Sequence, residues 1–337
     1  MSLSIHILSD PPRTVPVCEG DTLLSSLLQA GLAFPHSCQQ GNCGTCKCEL
    51  IEGDILDLPY SEFALSATER ARNVILACRS QIWGDCVIRP LDGDDEVMHP
   101  SRIVHCRVAT LTDLTHDIKV LRLAVEAESP LLFTPGQYAK LEFAAGLERD
   151  FSMASLPGAA LLEFFVRRVS GGSATQYLFD ELRVGAQVKV SGPFGSAHLR
   201  QRHTGPILAV AGGSGLAPIK SIVESVLTSD IEREVHLYFG ARDESDVYLE
   251  PLLRQWQERA ANLRVQVVLS APSQASTRRV GLVTEAVAQD LTSWNGFKAY
   301  LAGPPPMVEA MQTRLVQSGL PRRDIHADAF YTQAEKP

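Results

Sequence analysis

The stretch PHSCQQGNCGTCKC (residues 35–48) places Cys38, Cys43, Cys46 and Cys48 within eleven residues, with Gly41 and Gly44 between them. A loop built this way staples itself, holds a metal or does thiol chemistry. The spacing is Cys38-x4-Cys43-x2-Cys46, and Cys78 follows after 31 intervening residues. Three thiolates from one tight loop and a fourth from a distant strand end can converge on two irons. The two glycines let the backbone turn around such a cluster and aim N–H groups at its sulfurs. Zinc ribbons prefer paired C-x2-C knuckles, and only one such pair is present. The spacing therefore points to a 2Fe–2S cluster on Cys38, Cys43, Cys46 and Cys78. Cys18, Cys48, Cys86 and Cys106 are left over and are expected to be small buried hydrophobes. On a strand Cys48 should point away from the side that Cys46 takes.

Around the loop, SLSIHIL alternates as a half-buried strand does, and RTVPV reads as a second short strand. GDTLLSSLLQAG carries Leu24, Leu27 and Leu28 at helical spacing, with Asp21 or Thr22 as cap and Gly31 as stop. VILACRS and DCVIRP read as closing strands. The cysteine spacing is similar to that of plant-type ferredoxins, which implies an α+β, β-grasp-like ferredoxin domain over residues 1–92.

Residues 93–101 are polar and acidic and read as a linker. From 102 to 203 the pattern is short strands (RIVHCRVATLT, IKVLRLAV, QYAKLEFA, LLEFFVRRV, AQVKVSGP) with turns between them and one helical piece, SATQYLFDEL. This predicts an antiparallel β-barrel. From 204 to 337 apolar strands alternate with helices, starting at PILAVAGG and ending with KAYLAG and PMVEAMQTRLVQSG. That rhythm predicts an α/β domain with a parallel sheet. The chain is therefore expected to be multidomain.

Two glycine turns carry the remaining chemistry. In VRRVSGGSATQYL (166–178) a strand enters Gly171-Gly172 and then a helix with Ser173 and Thr175 in its first turn. The free amides of such a helix end suit a pyrophosphate, although caps and turns use the same residues. In ILAVAGGSGLAPIKSIVE a strand enters Gly212, Gly213, Ser214 and Gly215 ahead of a helix, a βα setting that favours phosphate binding. It lacks the G-x-G-x-x-G fingerprint. After the second strand Arg242 could meet a 2′-phosphate, whereas Asp243 and Glu244 would repel one, so the balance leans to NADH.

RDFSMAS (149–155), the Gly-Gly helix start, PGQY, SGPFG and the turn at 212–218 together resemble the ferredoxin–NADP reductase superfamily. The resemblance implies an FAD site: Arg149 on the pyrophosphate, Ser152 near the flavin N5 and Phe151 as aromatic wall where the family usually has Tyr. It extends that site to Val166, Arg167, Gly171, Gly172, Ser173, Ala174 and Thr175, and to Phe330 or Tyr331 of the tail HADAFYT against the flavin face, with plain anchoring of the tail as the other reading. LAGPPPM keeps Gly303, Pro304 and Met307 of a nicotinamide-side run and places Ala302 where Cys is common. Ferredoxin, FAD barrel and NAD domain in this order resemble the reductase components of aromatic-ring-hydroxylating dioxygenases. That implies hydride from NADH to FAD, single electrons to the cluster, and onward transfer to a terminal oxygenase or its Rieske-type ferredoxin. The same order serves reductases of diiron monooxygenases and of deoxysugar-forming dehydrases; a redox sensor or a simple electron carrier is the reading of another class.

Composition agrees with a globular chain: 45% apolar and 21% charged residues, with no apolar run long enough to span a bilayer. The N-terminus has no basic and apolar leader pattern, so a cytoplasmic location is expected. The net charge of −8 lies wholly in residues 1–100, with 14 Asp and Glu against 6 Lys and Arg; residues 101–337 hold 25 of each. The excess serves solubility or steers docking onto a basic partner. No basic stripe suggests nucleic acid.

Overall fold

The computed structural model describes residues 3–9, 11–32, 34–36, 39–41, 44–62, 64–91, 99–126, 130–144 and 146–331. Two compact units emerge: Met1–Pro100 with Phe194–Ser196, and the remaining chain.

In the first unit a five-stranded sheet has the order β2-β1-β7-β3-β5, from Arg13–Val17, Leu3–Ile7, Cys86–Pro90, Lys47–Glu52 and Val74–Leu76. β1 runs parallel to β7 and antiparallel to β2. Helix α1 (Leu23–Gln29) buries Leu23, Leu24 and Leu27 in the core with Ile5, Ile75 and Ile88. Thr22 caps it, its hydroxyl accepting from the Ser25 amide at 3.2 Å. β4 (Ile55–Asp57) pairs with β6 (Ser80–Ile82), and the single turn α2 (Ala67–Arg70) starts on a Ser66–Glu69 capping box. VILACRS is thus two strands separated by a turn at Ala77–Arg79, so that Cys78 sits at a corner. Cys48, Cys86 and Cys106 are buried, and burial first of all pushes their thiols up to about 12, 11 and 12. Cys18 departs from the expectation: it is exposed, in the turn that follows β2.

In the second unit six strands, β8 (Arg102–Asp113), β9 (Ile118–Val125), β10 (Tyr138–Ala144), β11 (Leu147–Ser152), β12 (Leu161–Arg167) and β13 (Gln187–Phe194), take the order β11-β10-β13-β8-β9-β12. A bridge between Met153 and Phe164 joins the two edges into a barrel. Helix α3 (Ser173–Asp180) packs on β11. The α/β part comprises β14 (Ile207–Gly212), α4 (Leu216–Leu227), β15 (Val235–Ala241), α5 (Glu250–Arg259), β16 (Leu263–Leu269), β17 (Arg279–Val280), α6 (Val283–Asp290), β18 (Lys298–Gly303), α7 (Pro305–Gln317) and β19 (Ile325–Ala329).

Its sheet has the order β17-β16-β15-β14-β18-β19, every pairing parallel. β14 and β18 are buried along their whole length, because helices cover both faces. The chain steps outward from β14 to β17 and then returns beside β14 as β18, so the sheet switches direction between β14 and β18. One face packs with α4, α5 and the barrel residues Ile118, Val120, Ala154 and Phe165; the other packs with α6 and α7. The barrel is tied on by polar bonds as well: Lys220 of α4 donates to the Ala154 carbonyl at 3.0 Å and Ser221 to the Ser155 carbonyl at 2.7 Å.

Candidate cofactor and coenzyme sites

Two of the four predicted cluster ligands, Cys46 and Cys78, lie together in the first unit, both buried, and the Cys78 amide donates to Cys46 Sγ at 3.4 Å. Cys38 and Cys43 lie outside the described residues. Gly41 and Gly44 hold positive φ values of 78° and 72°, and a Cβ on them would meet Tyr60 Cβ at 2.8 Å and the Ala64 carbonyl at 2.6 Å. The loop is therefore wrapped too closely for side chains there. Converging thiols and an N–H···S bond fit an iron–sulfur cluster.

On the barrel, Arg149 leaves β11 half-buried, and among the described residues it makes no ion pair; its Nη1 donates to the Glu148 carbonyl. The N-cap of α3 is Gly172, with no side-chain cap hydrogen bond. Thr175 turns inward instead, its hydroxyl donating to the Gly172 carbonyl at 3.0 Å. An uncompensated guanidinium and an uncapped helix start fit an anionic cofactor such as the FAD pyrophosphate. Gly171, at φ 72°, leaves open space where a Cβ would stand, and Ser173 is exposed. Val166 and Ala174 are core residues of the barrel, so only their backbone can face a cofactor. Phe151 is half-buried edge-on to Phe143. Phe330 leans on the core between barrel and sheet, its amide donating to the Gly303 carbonyl, while Tyr331 anchors the tail through a 2.7 Å bond to Glu309 of α7.

A cavity of about 340 Å3 opens at the carboxyl ends of β14, β15, β16 and β18. Open parallel sheets bind their ligands at this edge, beside the switch point. Gly212, Gly213, Arg242, Pro304 and Met307 line it, and so do Asp117, Ile118 and Arg167 of the barrel. Arg167, which the resemblance places on the FAD side, also lines this cavity. A Cβ on Gly212 would stand 2.7 Å from Met307 Sδ, and one on Gly213 3.3 Å from Arg167 Nη1. Gly215 and Gly303 are glycines for another reason. A Cβ would strike the Ala302 carbonyl at 2.1 Å in one case and the Gly212 carbonyl at 2.6 Å in the other, so close chain crossing demands them. Gly213, Ser214 and Gly215 form a 3-10 turn ahead of α4.

Three family models match in tandem: a 2Fe-2S iron-sulfur cluster binding domain over residues 7–82, an oxidoreductase FAD-binding domain over 105–199 and an oxidoreductase NAD-binding domain over 209–313. The chain is 43% identical over 312 residues to the ferredoxin–NAD(P)+ reductase component of the naphthalene 1,2-dioxygenase/salicylate 5-hydroxylase systems of a Ralstonia species, covering 93% of this chain and 94% of that one. It is 40% identical to the reductase component of the Pseudomonas putida naphthalene 1,2-dioxygenase system, covering 95% and 96%. The chain belongs to this reductase-component family. Among solved structures, an Amycolatopsis cytochrome P450 reductase superposes with a TM-score of 0.79 at 34% identity, covering 98% of this chain and 99% of that one. The reductase is thus a nicotinamide-nucleotide-dependent oxidoreductase with 2Fe–2S, FAD and NAD domains, and its relatives are reductase components of oxygenase systems. No helix among the described residues is long and apolar enough to cross a membrane.

Three residues of the reductase escape motif reading. Asp328 of β19 accepts from Ser152 Oγ at 2.9 Å, and burial pushes its carboxyl up to about 6, with Ser152 pulling the other way. Tyr248 donates to the Gly213 carbonyl at 2.8 Å and packs edge-on to Phe165 and Phe239, so it pins the glycine turn. Asp117, in the turn before β9, accepts from Arg167 Nε at 2.9 Å. His116, Asp117 and Asp246 also come together at this edge. Arg167 and Arg242 occupy those carboxylates, which makes the group an ion-pair network.

Proposed function

We propose that this reductase oxidises NADH and supplies an aromatic-ring-hydroxylating oxygenase, through its terminal component or a Rieske-type ferredoxin. The observation that carries the reading is the cavity walled by the barrel on one side and by the glycine edge of the parallel sheet on the other. A protein that must bring two dinucleotides together requires such a space. Bound FAD would accept electrons in a pair and release them singly, which the nicotinamide cannot do. In this reading Arg149, with Gly171, Gly172, Ser173, Ala174 and Thr175, holds the FAD pyrophosphate, while Phe151 and Ser152 border the flavin and Phe330 closes over it. Gly212, Gly213, Ser214, Gly215, Gly303, Pro304 and Met307 receive NADH with Arg242 at the ribose end, and Arg167 serves this coenzyme side. Cys38, Cys43, Cys46 and Cys78 hold the cluster. The domains are taken as 1–92, 102–203 and 204–337 around a linker at 93–101, and the compartment as the cytoplasm, where thiols stay reduced. The ring-hydroxylating acceptor is supported by the naming of relatives at 43% and 40% identity; those serving a phenol hydroxylase and a propane monooxygenase stand at 35% and 33%.

Anaerobic titration with NADH, followed by visible absorption and low-temperature EPR, tests the path. Flavin bleaching together with a reduced 2Fe–2S signal is expected. A cluster signal that appears with dithionite but never with NADH sinks the reading and leaves a carrier or sensor.

A further inference from the structure

The charges at the cavity edge come from two parts of the second unit. Asp117 and Arg167 belong to the barrel; Arg242 and Asp246 follow β15. The Asp117 carboxylate is the hub. One of its oxygens lies 2.9 Å from Arg167 Nε and 3.8 Å from Arg242 Nη2, and the other accepts from the Thr115 hydroxyl at 3.0 Å. Arg242 Nε reaches Asp246 Oδ2 at 3.3 Å. Burial alone would push the Asp117 carboxyl up, but the Arg167 guanidinium and the Thr115 hydroxyl outweigh it and hold it below the usual carboxylate range, so it is ionised at neutral pH. Two guanidinium groups thus face two carboxylates. Arg278, further along, is itself held by Glu244 at 2.8 Å and Glu250 at 2.9 Å.

The position after the second strand of such a sheet meets the adenosine ribose, where an arginine accommodates a 2′-phosphate and an acid the free hydroxyl. Arg242 occupies that position but is already compensated. A phosphate monoester of roughly −1.5 to −2 charge would have to displace a carboxylate and then sit beside it. We infer that Asp117, a barrel residue, is a specificity-determining residue for the coenzyme: with Asp246 it neutralises Arg242 and turns the site against a 2′-phosphate. This deepens the NADH reading and rests on it.

The test is calorimetric binding of 5′-ADP and 2′,5′-ADP to the protein loaded with FAD and cluster. The wild type is expected to bind 5′-ADP about tenfold or more tighter, and Asp117→Asn to narrow that gap about tenfold, an effect of about 1.4 kcal/mol, chiefly by tighter 2′,5′-ADP. Adding Arg242→Gln to Asp117→Asn should restore the gap, which mere loosening of the barrel contact would not do. If the wild type discriminates but Asp117→Asn leaves the ratio within about twofold, the coenzyme reading stands and the role of Asp117 is overturned. A wild type that prefers 2′,5′-ADP overturns the NADH reading itself. Should Asp117→Asn fail to fold, Asp246→Asn must shift the ratio in the same direction, and an unchanged ratio again refutes the inference.

Discussion

Asp328 and Ser152 form a pair from strands 176 positions apart. A carboxyl raised from 3.8 to about 6 binds its proton more tightly in the folded chain, so its contribution to stability is present at low pH and lost as pH rises through 6. Full burial would make that shift worth about 3 kcal/mol at neutral pH; the side chain keeps some solvent contact, so about 1–2 kcal/mol is the reasonable expectation. Asp328→Asn, which keeps an oxygen for the Ser152 hydroxyl, should therefore raise the melting temperature at pH 7.5 and leave it little changed near pH 4.5. Thermal melts across that range check it, and an equal shift at both pH values would contradict the account. Nothing around position 328 announces this in the sequence: HADAF is polar, short and placed at the tail. The meeting of Cys46 and Cys78, by contrast, could be read directly, since a cluster draws its ligands from one loop and one strand end. Asp117 lay hidden for a third reason. Its partners stand 50 and 125 residues away, and no local spacing records such a meeting.

At the scale of elements, what could be read depended on length and burial. β14, β15, β16 and β18 are predominantly apolar runs punctuated by helices, and their rhythm predicts the parallel sheet. β3, β4, β11, β17 and β19 escaped, being short or polar or both; β17 has two residues. β19 is held by pairing with β18 more than by apolar content, and it buries His326 flat against Tyr300 with ring centroids 5.1 Å apart. Burial, then the surrounding Arg200, Lys298, His198 and His203, hold the His326 imidazole well below its ordinary value. Burial lowers His203 and His236 as well. An unfolded chain takes up these protons below about pH 6.5 while the folded one resists, so stability is lost as pH falls from 6.5. His326→Phe keeps the stacked ring and removes the titration; among the described residues His326 Nε2 has no hydrogen-bond partner to forfeit. The expected outcome is a flatter decline in melting temperature between pH 7 and 5.5, and a decline as steep as in the wild type would refute it. β19 thus carries opposite pH responses two residues apart.

For the whole molecule, charge is the property with the widest reach. All of the net −8 belongs to the first hundred residues, the segment with the cysteine loop. Exposed charges act over about a Debye length, ~10 Å at 0.1 M salt, so a steering role is erased by salt. Electron transfer to a reconstituted oxygenase partner should slow severalfold between low salt and 0.5 M, while NADH oxidation with ferricyanide should change far less. Equal sensitivity in both assays would remove the steering role.

The ion pairs of Asp117 have a consequence for how such reductases can be recombined. Tandem modules invite exchange: one would expect a chimera to inherit its donor's coenzyme choice together with the donor's nucleotide-binding segment. Here a carboxylate that meets the deciding arginine is encoded some 125 residues upstream, within the flavin segment. Coenzyme choice is then not a transferable cassette. A graft cut at the barrel boundary would carry the arginine without its counter-ion, and a lineage shuffling these modules would have to re-tune a turn in the neighbouring segment before the new preference became sharp.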